Sequence, residues 1–216
     1  AQLMLADKLG EGSRILWLGQ NSFRLLECIL AAAKIGAMVC PINWRMSATE
    51  ITAVIEDFTP HFIIWQQQDI GDTAKQARAN TSHSCRWIAH DDTAAEGYEA
   101  LLAAQADIDP NLAIHSDCAV VAMYTAAFDG KPNAAILSQS AMLYQSLMIA
   151  YGYSISDESS NLNSGPLFHL GTMLSTLATF SFGGKNVFIA RVDAEEMLNL
   201  IAAEKITNAF VAQPTM

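Results

Sequence analysis

Charge is what this sequence has least of. Only 16% of its 216 residues are Asp, Glu, Lys or Arg, against 51% hydrophobic, so most of the chain must be inside something. What charge there is leans one way: 22 acidic residues against 12 basic ones give a formal net charge of −10. A nucleic-acid partner calls for a basic face, and so does an anionic membrane surface, so this balance argues against both. No apolar run reaches the length of a membrane span. The longest, over 25–42, is broken by Glu27, Lys34 and Gly36, and no transmembrane segment is expected. The first residues lack a basic start followed by an apolar core, so no signal peptide is expected either.

Paired metal-binding or redox cysteines are absent as well. Cys28, Cys40, Cys85 and Cys118 form no C-x-x-C pair, and three of them sit in apolar stretches. They read as free thiols in a reducing compartment, which makes a cytoplasmic protein the expectation. His61, His83, His90 and His115 show no ligand spacing, so no metal site is expected from them. The P-loop lysine–serine pattern is missing. Gly10-Glu-Gly12 precedes a strand rather than following one, so it fails as a dinucleotide fingerprint.

What is present is an alternation of strands and helices. Arg14-Ile-Leu-Trp-Leu18 reads as a strand, a mostly apolar helix follows over 23–35 with Asn21 or Ser22 as its cap, and Gly36 suits the left-handed position past its end. A buried strand over 37–41 comes next. Ser47-Ala-Thr-Glu50 is a capping box, opening a helix with Ile51, Val54, Ile55 and Phe58 on one face and Pro60 as its stop. Phe62-Ile-Ile-Trp65 is the next strand. Short links in a β-α-β-α-β order predict parallel strands, hence an α/β fold of mainly parallel sheets flanked by helices. Beyond it, helices are expected near 72–79 and 98–104 and a strand at 86–89. Residues 107–117 form a polar linker, which places the expected division into two α/β subdomains at 1–110 and 111–216. In the second, a helix from Ser140 to about Tyr151, a turn at 157–160, an apolar helix over 170–180, a strand over 187–190, a helix capped by Asp193-Ala-Glu-Glu196 and a last strand over 209–211 complete the reading.

The stretch Met123-Tyr-Thr-Ala-Ala-Phe-Asp-Gly-Lys-Pro-Asn-Ala-Ala-Ile-Leu-Ser-Gln139 organises the second part. Apolar residues lead in and out, with small side chains, Asp129-Gly130 and Lys131-Pro132 between them: strand, tight loop, strand. Small residues there let backbone N–H groups face a phosphate, with a lysine nearby for charge. The same residues also make an ordinary hairpin turn, because Asp and Gly tolerate positive φ. Residue chemistry by itself leaves both readings open.

Four stretches together resemble the large N-terminal domain of the AMP-forming acyl-CoA synthetases, within the acyl-adenylate-forming superfamily. They are Ala33-Lys-Ile-Gly-Ala-Met-Val-Cys-Pro-Ile-Asn43 with Arg45 and Ser47 to Glu50; Tyr124-Thr125 through Gly130-Lys-Pro132 and Leu137-Ser138; Pro166-Leu-Phe-His-Leu-Gly171; and residues 193–201 with Ile206-Thr207 and Pro214-Thr-Met216. The resemblance runs in order along nearly the whole chain. It implies a ligase that uses ATP, Mg2+ and CoA to activate a small-molecule carboxylate such as a fatty acid as acyl-AMP and pass it to the CoA thiol. It also implies that the phosphates border Thr125, Ala126, Ala127, Phe128, Asp129, Gly130 and Lys131, and that His169, Leu170 and Gly171 face the acid. The family's adenine, magnesium and catalytic-lysine positions have no counterpart in this stretch, so no catalytic residue is assigned. The chain is then expected to be a fragment, inactive by itself, that needs the C-terminal domain of its own polypeptide.

The loop departs from the family pattern, which reads roughly Tyr-Thr-Ser-Gly-Thr-Thr-Gly-x-Pro-Lys-Gly. Phe128 and Asp129 replace two hydroxyls, Ala126 and Ala127 replace serine and glycine, and Asn133 replaces a lysine. Ala127 adds a Cβ where close backbone approach is wanted. Asp129 sets like charge against phosphate, a cost on the order of a few kcal/mol at ~4 Å in a partly shielded site. Weakened or altered ATP handling is therefore expected. The alternative is a degenerate relative that binds an acyl group or a partner without adenylating.

Overall fold

Six strand segments assemble into one sheet whose interior strands are too hydrophobic to face water on either side, while the edge strand over 134–138 stays partly exposed. In chain order the computed structural model, which describes residues 1–125 and 132–211, runs α1 (Gln2–Ala6), β1 (Arg14–Leu18), α2 (Phe23–Ala33), β2 (Met38–Pro41), α3 (Ala48–Phe58), β3 (Phe62–Trp65), α4 (Gly71–Asn80), β4 (Arg86–Ala89), α5 (Tyr98–Ala103), β5 (Ala119–Tyr124) and β6 (Ala134–Ser138). The strand order is β4-β3-β1-β2-β5-β6. Every neighbouring pair is parallel except β5–β6, which is antiparallel. Strands β2 and β3 are buried along their whole length, as interior strands of a parallel sheet must be. Against them Ile51, Val54, Ile55 and Phe58 of α3 join Leu16, Leu18, Cys40 and Ile63 in one core cluster.

Local chemistry fixes the ends of these elements. The Glu50 N–H donates to Ser47 Oγ at 3.3 Å and the Ser47 N–H to Glu50 Oε2 at 2.8 Å, so the capping box at the start of α3 is complete. Ser22, not Asn21, caps α2: its hydroxyl accepts the Arg24 N–H at 3.2 Å. Gly36 has φ +73°, and a Cβ there would lie 3.2 Å from Glu11. That helix stops at Ala33, two residues before the expected end, and 34–36 form the turn.

A second compact unit holds α6 (Gln139–Tyr153), β7 (Ser160–Asn163), α7 (Leu170–Ser181), β8 (Lys185–Phe188), α8 (Ala194–Ala203) and β9 (Asn208–Ala209). Its three strands lie in the order β8-β7-β9, all parallel. Asp193 caps α8 as expected, accepting the Glu196 N–H at 2.8 Å. The units comprise 1–19 with 27–138, and 20–26 with 139–216, which differs from the expected division at 110. The reason is pairing: β5 bonds to β2 and β6 bonds to β5, so both strands complete the first sheet. Strand β8 begins two residues before the expected start and β9 one residue before, while β7 is an element that the sequence reading lacked.

Candidate functional site

Two loops carry the residues singled out from the sequence, one in each unit. The first closes the β5–β6 hairpin, whose register pairs Met123 with Ala135 and Tyr124 with Ala134. One step further, the Thr125 N–H donates to the Asn133 carbonyl at 2.9 Å and the Thr125 hydroxyl donates to the same oxygen at 3.2 Å. Both flanking strands form and pair as expected, and Thr125, just past β5, is exposed. Ala126, Ala127, Phe128, Asp129, Gly130 and Lys131 lie outside the described residues, as does the segment Pro214-Thr-Met216. Below the loop, Tyr124 donates its hydroxyl to Asp57. Burial first, and then that carboxylate, push the Tyr124 phenol above its ordinary range, so it stays a neutral donor.

The second loop is Ser164-Gly-Pro-Leu-Phe-His169, between β7 and α7 in the second unit. His169 is the N-cap residue of α7: its carbonyl accepts the Met173 N–H at 3.2 Å and its N–H donates to the Pro166 carbonyl at 3.0 Å. The imidazole makes no capping bond and is exposed, with the Phe168 ring 4.7 Å away at 55°. Leu170 and Gly171 continue into the first turn of the helix, also exposed. The three residues expected to face the acid therefore form one contiguous, accessible group.

Behind this loop lies a buried polar network that hydropathy could not reveal. Asn161, Asn163 and Thr176 are each at most 2% exposed. Asn163 Nδ2 donates to Asn186 Oδ1 at 3.0 Å and to the Val187 carbonyl at 3.2 Å, while Thr176 Oγ1 donates to Asn163 Oδ1 at 2.5 Å. Asn186 Nδ2 donates in turn to the Thr176 carbonyl at 3.0 Å. Buried amides tied this fully lock β7, β8 and α7 together. Asn21, treated as a possible helix cap, instead turns its side chain to the loop. The one signal available was its place just after β1, which fixes no partner.

Among the described residues no group of three or more His, Cys, Asp or Glu could hold a metal ion, and no helix is long and apolar enough to cross a membrane. Cys28 and Cys40 are buried free thiols, each pushed up to about 12 by burial. Elsewhere in the first unit an open groove of about 810 Å³ runs between α2 and α5, walled by Leu30, Ala31, Leu102 and Ala103. It contains neither candidate loop.

A mainly parallel sheet in one unit and a smaller parallel sheet in the other, each with its helices, make this an α/β protein, and comparison with known proteins narrows the class. Residues 1–216 match the profile of the AMP-binding enzyme family, and the chain belongs to that family. Among curated relatives, an indoleacetate–CoA ligase of Aromatoleum aromaticum is 27% identical over 96% of this chain and 41% of its own length. A long-chain-fatty-acid–CoA ligase of Mycobacterium tuberculosis is 23% identical over 95% of this chain and 40% of its own. The chain thus spans about two fifths of these relatives. A solved chain from Rhodopseudomonas palustris, provisionally assigned as a long-chain-fatty-acid CoA ligase, superposes with a TM-score of 0.87 at 26% identity, covering 99% of this chain and 53% of that one. The fold is that of the N-terminal domain of acyl-CoA ligases.

Proposed function

We propose that this chain is part of an AMP-forming carboxylate–CoA ligase with weakened ATP handling. The observation that carries it is the exposed His169-Leu170-Gly171 group at the start of α7, in a member of the AMP-binding family. In this reading the acid is bound as its carboxylate, ATP activates it as acyl-AMP with loss of pyrophosphate, and the CoA thiol then displaces AMP. His169, an exposed imidazole at a helix start, orients the carboxylate. The loop from Thr125 to Lys131 borders the phosphates. Backbone N–H groups of the loop supply most of the phosphate contacts in this reading, and the Thr125 hydroxyl, at the start of the loop, donates to the Asn133 carbonyl. No described residue is assigned to Mg2+. The buried free thiols suit a cytoplasmic setting.

A second reading has its own support in the loop sequence. Asp129 and Phe128, where hydroxyls would favour phosphate, fit a relative that binds an acid or a partner without adenylating it. Magnesium-dependent pyrophosphate exchange by the complete polypeptide, with indoleacetate and a long-chain fatty acid among the acids offered, separates the two. The ligase reading expects acid-dependent exchange with a high KM for ATP, lowered by Asp129→Thr. A folded protein that exchanges with no acid leaves the second reading standing.

A further inference from the structure

Asn21 is the polar side chain best placed to hold the acyl-facing loop. Its Nδ2 donates to the Gly165 carbonyl at 2.8 Å and to the Asn163 carbonyl at 3.2 Å, and its Oδ1 accepts the Leu167 N–H at 3.0 Å. These are alternate residues along the main chain, so one amide does for this loop what the edge of a neighbouring strand would do. The need is physical. Pro166 has no N–H to give, and residues 163 to 165 are buried, where a carbonyl left without a donor is destabilising.

Further contacts clamp the rest of the loop. The Ser164 hydroxyl donates to the Phe210 carbonyl at 2.7 Å. Gly165 has no spare volume, since a Cβ there would come within 2.6 Å of Phe210 Cδ1 and closer still to Thr172 Oγ1. By contrast His169, two residues past Leu167, has no side-chain bond fixing it at the cap, so its direction follows from the loop that delivers it. Asn21 lies more than 140 residues earlier in the chain and belongs to the same compact unit as the loop.

We infer that Asn21 is a positioning residue for carboxylate binding: its three hydrogen bonds to 163, 165 and 167 set the loop that presents His169-Leu170-Gly171 to the acid. This rests on the reading of His169 as acid-facing. It adds a residue that touches no substrate and acts only through main-chain bonds.

The test compares wild type, Asn21→Ala and Asn21→Asp in the complete polypeptide, each first confirmed as folded by its thermal melt. Aspartate is nearly isosteric; it keeps the acceptor for Leu167 but loses both donations and sets a negative charge against two carbonyls. Expected in both variants is a rise of roughly tenfold or more in KM for indoleacetate or a long-chain fatty acid, with KM for ATP changed by less than about twofold. Amide exchange at Leu167 should accelerate in Asn21→Ala and remain slow in Asn21→Asp. Unchanged KM for the acid in the folded variants, or a parallel rise in KM for ATP, overturns the inference. If the wild type turns over neither acid, the ligase reading fails separately and calorimetric binding of the same two acids decides. Roughly tenfold weaker binding in Asn21→Asp supports the positioning role; equal affinity, or no binding by the wild type, overturns it.

Discussion

At the scale of single residues, the loop before α7 is governed by absence of volume as much as by bonds. Thr172 Oγ1 is buried and makes no hydrogen bond among the described residues, and it faces the bare Cα of Gly165. Gly165→Ala would drive a methyl group against that hydroxyl and against the Phe210 ring, a case of overpacking that typically costs about 1–3 kcal/mol. Urea unfolding should show that loss. Pairing the change with Thr172→Ala removes one of the two colliding groups and should recover part of it, so the two substitutions should be strongly non-additive. Additive losses would mean that the contact is not what makes Gly165 necessary. The glycine itself was legible as part of Ser164-Gly-Pro-Leu-Phe-His169, but its reason was not, because Phe210 reaches it from a residue 45 positions away.

At the scale of elements, one carboxylate joins two helices. Glu56 on α3 accepts from Thr81 Oγ1 at 2.5 Å, from the Ser82 N–H at 2.7 Å and from the His83 N–H at 3.3 Å, tying down the chain as it leaves α4. The Thr81 hydroxyl above all, then the Ser82 amide, holds the Glu56 carboxyl below its ordinary value of 4.5. A lowered folded-state pKa means that this stabilisation is present above the unfolded value and disappears as pH falls through the folded one. Melting temperatures of wild type and Glu56→Gln should therefore differ at pH 7 and converge as the pH is taken well below 4.5. A difference that persists undiminished into acid would rule out the carboxylate as the source. The same scale shows what sequence patterns can reach. The start and buried face of α3 were readable, since its capping box, its apolar residues and Pro60 all lie within the helix's own neighbourhood. β7 was not: the sequence suggests only a turn at 157–160, yet Ser160-Asn-Leu-Asn163 is buried throughout, its two asparagine side chains bonded to Thr176, Asn186 and Val187 from elsewhere in the chain. A strand made acceptable by distant partners leaves no local trace.

For the whole molecule, the α/β class followed from the alternation of elements, whereas the bounds of the two units did not. Apolar runs at β5 and β6 announce strands without saying which sheet they join, so a polar linker at 107–117 looked like the natural seam. What neither composition nor periodicity could show is how unevenly the hydrophobic surface is distributed. In α6 the residues turned inward are Met142, Ser146 and Ala150, a stripe at i, i+4 and i+8, while Leu143, Tyr144, Leu147, Met148 and Tyr151 are all exposed, Tyr151 at 88%. Such a contiguous apolar face on a helix in water favours association. The 216-residue chain by itself should therefore self-associate at micromolar concentration, and Met148→Glu with Tyr151→Glu should return it to a monomer. Both positions are exposed, so the melting temperature should move by no more than about 2 °C, the scale of surface substitutions. Sedimentation velocity distinguishes the cases. A wild-type chain that stays monomeric across that range shows that the face of α6 does not drive assembly; a double variant that still associates places the contact on another surface.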